Sequence, residues 1–127
     1  MNDFITLSLD VMSGEKDPKA SINAALNLLE LREDVKIILV GDKDIIDKQT
    51  SGKTGIRLQI MHAQEIVQMS DSPIVVLRKK KQSSMRLAVD LVKDGTAQAC
   101  VSSGNTGALM AISKYVLKTI PSIDRPA

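Results

Sequence analysis

The run VSSGNTGALM, residues 101–110, sets Ser103, Gly104, Asn105, Thr106 and Gly107 between an apolar stretch and a helix-forming one. Such a loop carries little side chain and much accessible backbone N–H. Gly104 lets the chain turn sharply and approach a ligand closely. Asn105 or Thr106 can cap the helix that follows. The first amide hydrogens of that helix lack partners within it, and its dipole favours negative charge. Ser103 and Thr106 add hydroxyls, and Asn105 adds an amide donor. Together these groups suit a small oxyanion such as phosphate. An ordinary β-to-α turn with a polar cap would have the same spacing. The loop is not a P-loop, because the lysine of G-x-x-x-x-G-K-[ST] is missing, and it is not G-x-G-x-x-G.

A second candidate loop is Asp10-Val11-Met12-Ser13-Gly14-Glu15. Asp10 at a strand end is a candidate functional carboxylate, with a turn or cap role as its plain alternative. Met12 and Gly14 would join it at the site. A third group is Lys81 with Ser83 and Ser84. The basic run Arg78-Lys79-Lys80-Lys81 is commonly just solvated, but beside a serine helix start it offers a second anion contact. Cys100 falls inside an apolar segment and reads as a small core residue. His62 has no carboxylate or cysteine patterned beside it, so no metal site is expected. The scattered methionines read as packing, although a fatty acyl chain would need an apolar surface.

The elements that must position these residues alternate. FITLSL (4–9) reads as a strand, VKIILV (35–40) as a strand buried on both faces, RLQIM (57–61) as a third and AQACVS (97–102) as a fourth. Asp17 and Pro18 open a helix with Ile22, Ala25, Leu26 and Leu29 on one stripe. DKDIIDKQT suggests a short helix, and PIVVLRKKK is helical or extended. Ser83 or Ser84 caps a helix with Met85, Ala88, Val89 and Val92 on one face, stopped by Gly95. A last helix runs from near Asn105 to about Lys118, with Leu109, Ile112 and Val116 aligned and Pro121 ending it. Strands separated by helices imply parallel βαβ units, hence an α/β fold with helices on both faces of a parallel sheet. Open sheets of this kind bind ligands beyond the carboxyl ends of their strands. Both candidate loops lie there.

The chain has 127 residues, which suits one domain with no internal boundary. Phe4 and Tyr115 are its only aromatic residues, so the core must be aliphatic. That scarcity, with a net charge of only +2, argues against nucleic acid as a partner. The single cysteine fits a reducing compartment. The N-terminus has no signal-peptide pattern, and no apolar run reaches the ~20 residues of a membrane span.

Four stretches resemble the phosphate:acyl-[acyl carrier protein] acyltransferases of bacterial phospholipid synthesis, the PlsX family. DVMSGEKDPKA (10–20) is similar to that family's D-x-M-G-G-D and the helix start after it. IILVGD (37–42) looks like its second strand, RKKKQSSMRLAVDLVKDG (78–95) resembles its R-x-K-K-x-S-S-M helix, and VSSGNTGALMA (101–111) its S-A-G-N-T-G-A loop. The resemblance implies a Rossmann-like layout of the isocitrate/isopropylmalate dehydrogenase kind. It implies transfer of a long fatty acyl group from acyl carrier protein to orthophosphate, without a cofactor, by a cytoplasmic homodimer. Asn105 and Asp10 would be the catalytic candidates, and a lysine of the basic run could face the acidic carrier. Ser13 stands where the family usually has Gly, and Glu15 where it has Asp. If that position requires φ > 0, Ser13 carries about 1 kcal/mol of strain. Family members are also more than twice as long, so the resemblance covers an N-terminal part. Peripheral attachment to the inner membrane face would then belong to the absent C-terminal part. The alternatives are a short-chain phosphate acetyl- or butyryltransferase, and a non-catalytic fragment that binds phosphate or a nucleotide.

Overall fold

A computed structural model describes residues 3–14 and 16–122. The departure at Glu15 lies outside the described residues. Chain order is β1 (Ile5–Asp10), α1 (Pro18–Leu31), β2 (Val35–Gly41), α2 (Lys43–Thr50), β3 (Leu58–His62), α3 (Pro73–Lys79), α4 (Ser84–Lys93), β4 (Ala99–Ser102) and α5 (Thr106–Leu117). The four strands pair in parallel in the order β3-β2-β1-β4. The architecture is thus the expected α/β layout.

The period-2 pattern of β2 sends its side chains into two cores. Val35, Ile37 and Leu39 meet Ile22 and Ala25 of α1 and Ile46 of α2 on one face. Ile38 and Val40 meet Ala88 and Leu91 of α4 on the other. Each such aliphatic burial is worth about 1.5–3 kcal/mol. Beyond α4, α3 and α5 add a further layer, closed by Val76, Met85, Val89, Ala108, Ile112 and Val116. Helices therefore cover both faces of the sheet.

Boundaries shift from the sequence expectation for identifiable reasons. β1 runs one residue later than expected, so Asp10 is its last residue rather than the start of the loop. Arg57 leaves β3 because its guanidinium is needed elsewhere. It donates to the Leu29 carbonyl at 2.8 Å, to the Val35 carbonyl at 3.1 Å and to the Arg32 carbonyl, closing the C-terminal end of α1. Gln98 stays outside β4 because its side chain accepts from the Thr6 N–H at 2.6 Å. PIVVLRK is a helix, with Ser72 as N-cap accepting from the Val75 N–H and Pro73 at the first turn. α5 ends at Leu117, because the C-cap Lys118, with φ of 67°, leaves the helical region before Pro121 is reached.

One flank of the sheet is less covered. An apolar groove lined by Leu7, Leu9, Leu28, Ile37 and Val101 lies between α1 and the β1–β4 pair. The outer edge of β4 has no strand beside it among the described residues, and Val101 is 49% exposed.

Candidate anion-binding site at the switch point

The chain winds from β1 to β2 to β3 on one side, then returns to place β4 on the other side of β1. The strand order therefore reverses between β1 and β4. Sheets of this type form a ligand crevice at the carboxyl ends of the strands at such a point. Both candidate loops emerge there, one from Asp10 and one from Ser102.

Asp10 ties the two loops together. It is only 1% exposed. One carboxylate oxygen accepts from the Met12 N–H at 3.1 Å and the Ser13 N–H at 3.2 Å. The other accepts from the Ser102 hydroxyl at 2.8 Å, and that hydroxyl oxygen accepts from the Gly104 N–H at 3.2 Å. A buried carboxylate needs such donors to offset lost hydration. Asp10 thereby joins the two loops through hydrogen bonds to both.

The loops also interlock sterically. A Cβ on Gly104 would lie 2.5 Å from the Ser13 Cβ and 3.0 Å from the Met85 Cε. A Cβ on Gly14 would lie 3.0 Å from both the carbonyl oxygen and the hydroxyl oxygen of Ser103. Gly14 also has φ of 106°, a region that L side chains avoid. The strain expected at Ser13 is therefore absent, because the left-handed residue is Gly14. Met12 packs over the end of β2, where a Cβ on Gly41 would come within 2.6 Å of its side chain.

Asn105 is the N-cap of α5, its amide oxygen accepting from the Ala108 N–H at 3.1 Å. Its amide nitrogen faces the carbonyls of Gln68 at 3.2 Å, Met69 at 3.3 Å and Asp71 at 2.8 Å. Both ends of this side chain are thus engaged by the protein. The expectation that its amide reaches an anion is corrected: two amide hydrogens are already outnumbered by three acceptors. The Gly104 N–H is likewise engaged, by Ser102. What remains are the backbone N–H groups of Asn105, Thr106 and Gly107, which have no hydrogen-bond acceptor among the described residues. They form the positive end of a 12-residue helix.

The third expected group divides. Ser83 caps α4, accepting from the Arg86 N–H at 3.1 Å. Ser84 is fully buried, and its hydroxyl has no partner, like that of Ser13. Both oxygens are closed to solvent, so a ligand reaches them only if the loops part. Lys81 is exposed and carries no ion pair among the described residues. Its neighbour Lys80 instead donates to Asp71 at 2.5 Å and to the Ile66 carbonyl at 2.8 Å. This hydrogen bond holds the Asp71 carboxyl below its ordinary value, with the Gln68 N–H adding to the effect. Lys80 and Asn105 together fasten the 66–71 segment beside the helix start, a role no sequence spacing announced.

Cys100 is half-buried against two core clusters, as expected. Burial pushes its thiol pKa up, and the Asp10 charge adds to the shift. His62 accepts the Lys43 N–H at 3.1 Å and so helps cap α2. Among the described residues, no group of three or more His, Cys, Asp or Glu could hold a metal ion. No helix among them is long and apolar enough to cross a membrane.

A doubly covered parallel sheet, with glycine loops and a helix start at its switch point, defines an α/β protein that opens a ligand crevice beyond its strand ends. The same fold occurs in the EutD phosphotransacetylase from Staphylococcus aureus, with a TM-score of 0.62 at 16% identity over 98% of this chain and 41% of that one. The chain belongs to the family described as Fatty acid synthesis protein, which it matches over residues 5–127. It is 54% identical to a phosphate acyltransferase from Methylococcus capsulatus over 125 residues. It is 55% identical to one from Shewanella halifaxensis over 126 residues. These matches cover 96–97% of this chain but 37% of either relative, so the chain spans little more than a third of their length.

Proposed function

We propose that these residues are the N-terminal α/β part of a phosphate acyltransferase. The enzyme moves a long-chain fatty acyl group from the thioester of an acyl carrier protein to orthophosphate. The products are acyl phosphate and the free carrier thiol. The observation that carries the proposal is the 54–55% identity to relatives named phosphate acyltransferase.

Phosphate near neutral pH is partly dianionic and attacks a thioester without a strong base. The enzyme must chiefly hold it in line and stabilise the thioester oxygen as charge gathers there. The unpartnered N–H groups of Asn105, Thr106 and Gly107 suit the first task, and the Ser103 hydroxyl, which donates to the Ser13 carbonyl at 3.4 Å, would have to turn from it to join them. Asp10 and Asn105 act as positioning residues. Asp10 fixes the loops against each other, and Asn105 fixes the helix start against the 66–71 segment. Ser83 and Ser84 place the start of α4 close by, since Met85 reaches Gly104. The complete protein would work as a cytoplasmic homodimer. Any hold on the inner membrane face would come from the length outside this chain.

The test is a phosphate-dependent assay of the complete gene product. Long-chain acyl carrier protein and acetyl-CoA are offered separately, and acyl phosphate is followed by 31P NMR. Acyl phosphate from the long-chain donor supports the proposal. Turnover of acetyl-CoA alone would assign the protein to short-chain transfer, and no turnover of either would leave an anion-binding role.

A further inference from the structure

α3 turns Val76 inward, buried against α5, and Leu77 also packs on that cluster. Its opposite face has no cover among the described residues. Ile74 is 56% exposed and Val75 39% exposed. Arg78 and Lys79 stand one helical turn further on, at i+4 from Ile74 and Val75, and are exposed as well. Met69, 50% exposed, precedes the helix, and exposed Lys81 follows it. Arg78, Lys79 and Lys81 form no ion pair among the described residues, although the segment contains carboxylates that pair with other cations. The result is a short apolar strip ending in three unpaired cations.

The strip adjoins the crevice. Pro73, the first residue of α3, lies 3.4 Å from where a Cβ on Gly107 would stand. The Asn105 amide grips the carbonyls on both sides of Ser70. A partner seated on α3 would therefore lie beside the N–H groups that face the crevice.

We propose that this face of α3 is the docking surface for the acyl carrier, and that it receives an acidic amphipathic helix. The inference rests on the acyl-transfer reaction proposed above and adds where the donor sits. Charge complementarity selects the occupant. An acidic helix with apolar residues on one side would bury Ile74 and Val75 and set its carboxylates against Arg78, Lys79 and Lys81. A nonpolar partner would leave those cations unpaired, and an anionic polymer would gain nothing from the apolar strip. Rim charges of this kind act mainly on encounter and are screened by salt.

The experiment uses the complete gene product with Arg78→Glu/Lys79→Glu, and separately Ile74→Ala. The reversed pair should raise KM for acyl carrier protein about tenfold, the cost of losing roughly two rim ion pairs and gaining repulsion. The phosphate KM and the turnover of a long-chain acyl-pantetheine that lacks the protein should not change. Raising salt should weaken the wild type more than the variant. These side chains are exposed and unpaired, so melting temperatures should match wild type and exclude misfolding. An unaltered carrier KM in both variants overturns the inference while the transfer reaction stands. Equal losses with the protein-free donor also overturn it, because the face then serves the chemistry or another part of the chain. A wild-type protein that forms no acyl phosphate from any donor removes the reaction itself. Binding of unacylated carrier protein to α3, read from NMR shifts on the carrier, then decides whether the surface survives alone.

Discussion

Gly104→Ala offers the sharpest test of how the two loops fit. Gly104 has no positive φ, so alanine meets no backbone penalty and the whole cost is steric. The added Cβ would stand 2.5 Å from the Ser13 Cβ and 3.0 Å from the Met85 Cε. The methionine tip can swing aside, but the serine Cβ is fixed to its backbone. Carbon pairs settle at about 3.5–4.0 Å, so the loops must part by about 1 Å. Overpacking of this kind costs about 1–3 kcal/mol. Urea denaturation of wild type, Gly104→Ala, Ser13→Gly and the double variant closes a double-mutant cycle. Removing the Ser13 Cβ should relieve the clash, so the cycle should show a favourable coupling of about 1–3 kcal/mol. A coupling below about 0.5 kcal/mol would refute the interlock, since independent sites add to within that margin. In the complete enzyme, Gly104→Ala alone should also raise the phosphate KM, because the helix start moves with the loop.

Asn105→Asp keeps the cap oxygen but turns a carboxylate toward three carbonyls and the anion crevice. It should lower stability and raise the phosphate KM; unchanged values of both would remove Asn105 from the site. Asp10→Asn loses at least one of three accepted hydrogen bonds at a buried site. It should cost about 1.5–3 kcal/mol in equilibrium unfolding. Full stability with lost activity would instead make Asp10 a chemical participant. The Asp71 carboxyl is held below its ordinary value of 3.8. Its stabilising effect is complete above that pH and disappears as pH falls through the lower native value. Protection of the Gln68 amide against hydrogen exchange should fall over that acidic range, and a flat profile would argue that Lys80 does not hold the segment.

Periodicity carried most of the fold. β2 has an apolar run, Ile37–Val40, because both its faces are buried, and α4 shows its stripe because one face meets a core. Caps at Asp17, Ser83 and Asn105 were legible because the cap residue and the helix it opens are adjacent in sequence. The crevice was legible only as two loops. Its internal wiring joins residues far apart, such as Asp10 with Ser102 and Asn105 with Gln68, and contacts of that kind leave no periodic trace. Gly104 could be read as permissive, but not that its missing Cβ makes room for Ser13. Asn105 could be read as a donor, but not that its amide serves a neighbouring segment first. Likewise, the basic run gave no sign that Lys80 alone would be withdrawn from it.

Among the described residues no strand flanks the outer edge of β4, and that has a chemical consequence. Strands pair at a spacing of about 4.8 Å. A peptide laid parallel along Ala99–Ser102 would therefore end beside Ser103, at the mouth of the crevice. Strand-mimicking inhibitors could use the ladder for grip and a terminal phosphonate to reach the α5 amides. One compact molecule could then compete for two neighbouring features of the same edge.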